Sequence, residues 1–341
     1  MLYEDHDSEY FWIQLVSVVI CILSILGSLA IIVTYVLVKD IRSKARELLV
    51  HISLMDIMYS TANLVGLALP YHKVFNQHNT SNVYSHLCKA QAFIAVYGTI
   101  GSVLWTLGLA VYLYYRIVSR ISVRLVRMLY VVCYTLPLYV SVWLLMEDWL
   151  GYPHNVLQGA GWCSVKDEIN ILVLLMTYDI WMWLGILTLV PLYLVIHVHV
   201  KYELKDGPHY PTMLSNNLSM IAKAERKLLL IPLLFIFLRI WDVIDNMLFM
   251  YNHVDDVEEK YLWLKMLTAI GDSGQGFFNF VIFFLFQPRL RTLIIRCCHW
   301  PCKRHNTDDD MEYSESGDDE PAPSTGDSTP LHFNQHTPRK H

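Results

Sequence analysis

Arg239 stands in a stretch, residues 228–250, whose other members are apolar except for Pro232, Asp242, Asp245 and Asn246. A guanidinium keeps its charge at every physiological pH. Its chemistry there is electrostatic: it can pair with a carboxylate or hold an anion. Three carboxylates of the same kind stand in other apolar runs: Asp56, Asp179 and Asp272. Trp183, Trp241, Gln275 and Asn279 accompany them, with Tyr97 and Phe277 as further aromatics. Metal hydrolysis is a poor match. His197 and His199 are two residues apart and point to different faces of a helix, and His51 is alone in its run. No cofactor is expected. A retinal-type Schiff base needs a deeply placed lysine, and Lys265 lies only about one turn inside its run.

These side chains need elements that hold them in apolar surroundings. The chain has 341 residues, 54% hydrophobic and 17% charged, with a net charge of -5. That is too apolar for a soluble chain, and no basic field suits nucleic acid. The apolar residues gather into seven runs, at 11–38, 48–69, 90–115, 128–146, 169–196, 228–250 and 261–286. Each reaches the roughly 17–25 residues that cross a bilayer. Helices are expected, since each satisfies its own backbone polar groups. The leader 1–10 carries Glu4, Asp5, Asp7 and Glu9 but no Lys or Arg, so the first run reads as a retained span.

Basic residues set the expected orientation. Eighteen Lys and Arg follow spans one, three, five and seven, while five lie on the other side. The amino terminus is then outside and the tail cytosolic. Of seven cysteines, only Cys88 and Cys163 fall on the outer side, where disulfides persist, so a Cys88–Cys163 bridge is expected. Cys21 and Cys133 belong to the core. Cys297, Cys298 and Cys302 follow span seven and are lipidation candidates. With Leu290, Leu293 and Ile294, the first two share one face at i, i+3, i+4, i+7 and i+8. Residues 287–302 therefore read as an amphipathic helix parallel to the membrane. Residues 303–341, acidic and Ser/Thr-containing, read as a disordered tail suited to phosphorylation. Asn79-Thr80-Ser81 is a glycosylation candidate in an outer loop.

Several motifs then join into an ordered set. They are Arg42-Ser-Lys-Ala-Arg46 leading to Ser53-Leu-Met-Asp56, Ala110-Val-Tyr112-Leu-Tyr114, Gly161-Trp-Cys163, Lys227-Leu-Leu-Leu-Ile-Pro232, Leu238-Arg239-Ile-Trp241 and Gly274-Gln275-Gly-Phe-Phe-Asn279. Over residues 10–300 the chain resembles G-protein-coupled receptors of the branch spanning secretin/adhesion-type and slime-mould cyclic-AMP receptors. Within that branch it looks like the orphan G-protein-coupled receptor 157 subfamily. The chain departs from rhodopsin-type receptors: Tyr114-Tyr115-Arg116 ends span three, and span seven lacks an Asn-Pro-x-x-Tyr ending. With about ten residues before span one, no hormone-binding ectodomain is expected.

The resemblance implies an all-α membrane protein, a seven-helix bundle over 11–286. It would lie in the plasma membrane and pass an outside signal to a heterotrimeric G protein, without catalysis of its own. Arrestin and receptor kinases would meet the tail. Arg42, Arg46, Arg116, Arg120, Arg226 and Lys227 would form the G-protein-facing rim, and Pro232 would help span six bend. A multi-pass transporter or channel is the alternative, though no internal repeat or paired broken helix supports it. In either case Arg239, Asp179 and Asp272 lie at similar depth, about 10–12 residues from the ends of their spans. A pairing of Arg239 with Asp272 or Asp179 is expected, with Asp242 as a local alternative. Such charges mark an intramembrane polar network or ligand pocket, with Asp56 beneath it.

Overall fold

The computed structural model describes residues 2–39, 42–69, 82–117, 123–152, 162–166, 180–205, 230–251 and 262–286. Seven helices stand among them: α1 (Leu2–Leu37), α2 (Lys44–Ala68), α3 (Asn82–Ile117), α4 (Val123–Met146), α5 (Ile180–Lys205), α6 (Leu230–Tyr251) and α7 (Leu262–Phe286). A two-stranded ribbon, β1 (Leu150–Gly151) and β2 (Ser164–Val165), lies between α4 and α5. The helices outrun the hydropathy boundaries. Helix α1 begins at Leu2 rather than at residue 11, α3 begins eight residues before residue 90, and α5 reaches Lys205 rather than 196. Hydropathy marks where hydrocarbon would meet the helix, whereas backbone hydrogen bonding continues past it.

Five of these helices are long and apolar enough to cross a membrane. The other two, α6 and α7, carry Arg239, Asp242 and Asp245, and Lys265 and Asp272. Helix α1 shows how the membrane inverts ordinary amphipathicity. Ser17, Cys21, Ser24 and Ser28 face inward and are fully buried, while Leu15, Val19, Ile22, Leu26 and Leu29 are exposed. Small and weakly polar residues let helices approach closely, and large apolar ones meet lipid.

Glycines set the closest approaches. A Cβ on Gly271 of α7 would stand 2.0 Å from the Leu238 carbonyl oxygen of α6. One on Gly98 of α3 would stand 2.9 Å from the Tyr59 backbone nitrogen of α2. Helix α3 is central, packing on α2, α4, α5 and α6 and under both strands. Helix α1 closes the ring against α2 and α7.

Local signals start and stop the helices. Ser43 caps α2, its hydroxyl accepting from the Arg46 backbone N–H. Arg42 donates Nε–H to the Tyr35 carbonyl at 3.1 Å, capping the carboxyl end of α1. Asp148, at φ 57°, turns the chain out of α4, and the Trp149 N–H returns to the Leu144 carbonyl at 3.0 Å. That is the left-handed stop that Asp tolerates better than most residues. Pro137 and Pro191 lie inside α4 and α5. Pro232 lies near the start of the described part of α6. The expected membrane-parallel helix 287–302 and tail 303–341 lie outside the described residues.

Candidate functional site

The close α6–α7 approach at Gly271 brings the next residues together. Arg239 donates from a terminal guanidinium nitrogen to Asp272 Oδ1 at 2.7 Å. The arginine side chain is 1% exposed and the aspartate 11%. The guanidinium also lies 5.7 Å from the Tyr59 ring centre of α2 and 5.9 Å from that of Phe235. Two rings and a carboxylate thus replace the water that the cation loses on burial. One turn further along α6, Asp242 accepts from Asn246 Nδ2 at 3.4 Å. Near the end of the seam Lys265 pairs with Asp245 at 2.9 Å. Among the described residues two ion pairs therefore join α6 to α7.

Asp56 of α2 occupies a separate, deeper junction. It is 4% exposed and accepts from Ser102 Oγ of α3 at 2.8 Å and Asn279 Nδ2 of α7 at 3.3 Å. Asp272, Gln275 and Asn279 recur at i, i+3 and i+7, so one face of α7 carries all three. Gln275 is buried, with neither amide atom hydrogen-bonded to a described residue. A buried amide in that condition calls for water or a polar ligand group. The Arg239–Asp272 pair and the Asp56–Ser102–Asn279 junction are thus two polar groups that share one face of α7.

The predicted aromatics divide. Trp183 packs beside Met182 and Phe235 on the α3–α5–α6 core. Trp241 is half-buried against exposed Phe237, 6.2 Å between ring centres, on the outer side of α6. Of the basic rim, Arg42 caps α1, Arg46 is half-buried in the first turn of α2, and Arg116 is exposed in the last turn of α3. Asp179, Arg120, Arg226, Lys227, Asn79, Cys297, Cys298 and Cys302 lie outside the described residues. Among the described residues no group of His, Cys, Asp and Glu could hold a metal ion.

At the other end of α3, Cys88 and Cys163 form a disulfide. Gln91 doubles the anchor: its Nε2 donates to the Cys163 carbonyl at 3.2 Å, and its Oε1 accepts from the Cys163 N–H at 3.0 Å. Leu150 pairs with Val165 and Gly151 with Ser164 in the antiparallel ribbon above. Lys89 and Lys166 both reach Asp148, and their hydrogen bonds hold its carboxyl below the ordinary carboxylate value.

One cluster was not foreseen. His51 of α2 stacks on Trp105 of α3, with 4.5 Å between ring centres. Its Nδ1 lies 2.6 Å from the Tyr134 hydroxyl of α4, and Tyr130 donates to Glu47 at 2.7 Å. Both tyrosines set their rings edge-on to Trp105. The missed signal was Tyr130 and Tyr134 at i, i+4 opposite Glu47 and His51 at i, i+4.

Comparisons with known proteins bear on the family and the fold. The family model "7 transmembrane receptor (Secretin family)" matches residues 10–278. The rat protein "G-protein coupled receptor 157" is 29% identical over 301 residues, covering 85% of this chain and 87% of its own. Its human counterpart is 29% identical over 287 residues, covering 82% of each. Among solved structures, squid rhodopsin matches with a TM-score of 0.65 at 14% identity, covering 89% of both chains. That last likeness concerns the fold.

Proposed function

The chain belongs to the secretin family of seven-transmembrane receptors, and from that premise we propose that it couples an outside signal to nucleotide exchange on a heterotrimeric G protein. The Arg239–Asp272 pair across α6 and α7 is the observation that carries this reading. A buried ion pair holds two helices only while both charges remain matched. A ligand that competes for either partner therefore biases the α6–α7 packing, with Gln275 beside it as a polar contact. Release would let the Leu230 end of α6 swing outward and uncover the basic rim at Arg46 and Arg116. The eighteen-to-five division of Lys and Arg supports an outside amino terminus in the plasma membrane. The tail would then present its Ser and Thr hydroxyls to kinases and arrestin, and the cysteines after α7 to acylation.

The test is guanine-nucleotide exchange by a panel of purified heterotrimers on the full chain in nanodiscs. Arg239→Ala should raise basal exchange on at least one of them. If neither the wild type nor Arg239→Ala stimulates any heterotrimer, coupling fails as a function while family membership stands. Glycan found at Asn217, in the acceptor sequence Asn217-Leu218-Ser219 that faces the cytosol on this topology, would reverse the orientation.

A further inference from the structure

The stretch 162–166 lies on the amino-terminal end of α3, and more than its disulfide fixes it there. Cys163 is fully buried, so its backbone N–H and carbonyl both need partners other than water. Gln91 supplies both from one planar amide, accepting at 3.0 Å and donating at 3.2 Å. A primary carboxamide carries a donor and an acceptor side by side, as a neighbouring strand would. Gln91 is itself 3% exposed, which keeps water from competing for either bond.

The setting holds that amide in place. A Cβ on Gly66 of α2 would stand 3.0 Å from Gln91 Nε2 and 2.5 Å from Trp162 Cβ. The glycine thus lets the amide and Trp162 lie directly on α2. Cys88 precedes Gln91 by three residues and shares its face of α3. Binding Cys163 through Gln91 therefore brings its sulfur to the Cys88 thiol. Downstream, Leu150 and Gly151 pair with Val165 and Ser164, and the Lys166 N–H donates to the Trp149 carbonyl at 2.9 Å. The segment is clamped on both sides of Cys163 without counting the covalent bond.

We infer that Gln91 is a positioning residue for the Cys88–Cys163 bond, seating the 162–166 segment on α3 while both thiols are reduced. Loss of the bond then leaves the segment docked and the two sulfurs within reach of each other. With a small-molecule disulfide, oxidised glutathione, the bond re-forms by two exchanges. The Cys88 thiolate takes one glutathione sulfur and releases a glutathione thiolate. The Cys163 thiolate then attacks the Cys88 sulfur and displaces the second. The cysteine pair is oxidised, the glutathione disulfide is reduced, and both cysteine protons end on glutathione thiols.

The experiment equilibrates the full chain in nanodiscs with a fixed mixture of reduced and oxidised glutathione. Differential alkylation and peptide mass spectrometry read the bonded fraction of Cys88 and Cys163. Gln91→Met keeps the length of the side chain and removes both hydrogen bonds. It should lower the bonded-to-reduced ratio about ten-fold. Tyr134→Phe, in the α2–α4 contact, should keep the wild-type ratio, which separates seating from the general stability of the bundle. A wild-type ratio in Gln91→Met, or an equal fall in both variants, would overturn the inference. Hydrogen exchange on the wild type reduced with a phosphine decides the point even where Gln91→Met folds poorly. Its 162–166 segment should keep slowed exchange, and exchange at the free-peptide rate would overturn the seating. The assay contains no G protein, so neither result depends on coupling.

Discussion

Two seams of the bundle use opposite physics. The α6–α7 seam is joined by Arg239–Asp272 and Asp245–Lys265, charges withdrawn from water. The α2–α3–α4 seam is joined by rings and hydrogen bonds, with His51, Trp105, Tyr130 and Tyr134 around one centre. Ring contacts carry no net charge, and their attraction is short-ranged and geometry-bound. A buried ion pair is near balance while intact and strongly unfavourable when half is removed. One seam is therefore built to stay closed, and the other has a state that a charge can tip. This difference makes α6–α7 the moving element in the proposed mechanism and α2–α3–α4 its fixed frame.

The sharpest way to break the contrast is backbone clash. Gly271→Val should prevent α6 from docking on α7, because no rearrangement short of moving Leu238 makes room for a Cβ 2.0 Å from its carbonyl. A loss beyond about 5 kcal/mol is expected, seen as absent folded protein on size exclusion. Gly108→Ala on α3, where a Cβ meets Cys133 at an ordinary 3.6 Å, should fold normally.

Next comes charge removal. Arg239→Ala should cost about 3–5 kcal/mol by leaving Asp272 buried without its counter-charge. Adding Asp272→Asn should recover much of the lost melting temperature. If the double variant melts no higher than Arg239→Ala, the seam is not held by that pair.

A gentler substitution tests the fixed frame. Tyr134→Phe removes the hydroxyl that meets His51 at 2.6 Å and should cost about 1 kcal/mol. Basal nucleotide exchange should stay at the wild-type level. Exchange rising as it does for Arg239→Ala would erase the distinction between the two seams.

The smallest effect lies outside the membrane, at Asp148. Its folded value is depressed by Lys89 and Lys166. Its contribution is therefore complete above the unfolded value of about 3.9 and is lost as pH falls through the lower folded value. The carboxylate is largely exposed, so screening keeps the contribution small. Melting followed from about pH 6 to about pH 3 should show a shallow loss that Asp148→Asn lacks.

Much of this was legible before any coordinates. The apolar runs correspond to the seven helices, and Cys88 and Cys163 are bonded. Arg239 stood out because a charge inside hydrocarbon needs a partner wherever the chain folds. Its partner was harder to read. Asp179, Asp242 and Asp272 have the same chemistry, and counting residues along the spans gives Asp179 and Asp272 the same expected depth. Helical period fixes which face a side chain takes but not which helix that face meets. The contact of Gly271 with Leu238 brings Asp272 to Arg239.

His51 shows the limit more plainly. Taken alone it lacked a second ligand and suggested no chemistry. Its partners lie 54 and 83 residues away, on two other helices.

By itself, then, the sequence determined the number of spans, the two bonded cysteines and the presence of a buried charge in need of compensation. Those follow from the cost of placing polar groups in hydrocarbon, which is a property of each segment alone. Tertiary structure decided the pairings: Arg239 with Asp272, Asp56 with Ser102 and Asn279, His51 with Trp105 and Tyr134. Such choices depend on angles and distances between helices, which packing of small residues sets and no single helix contains.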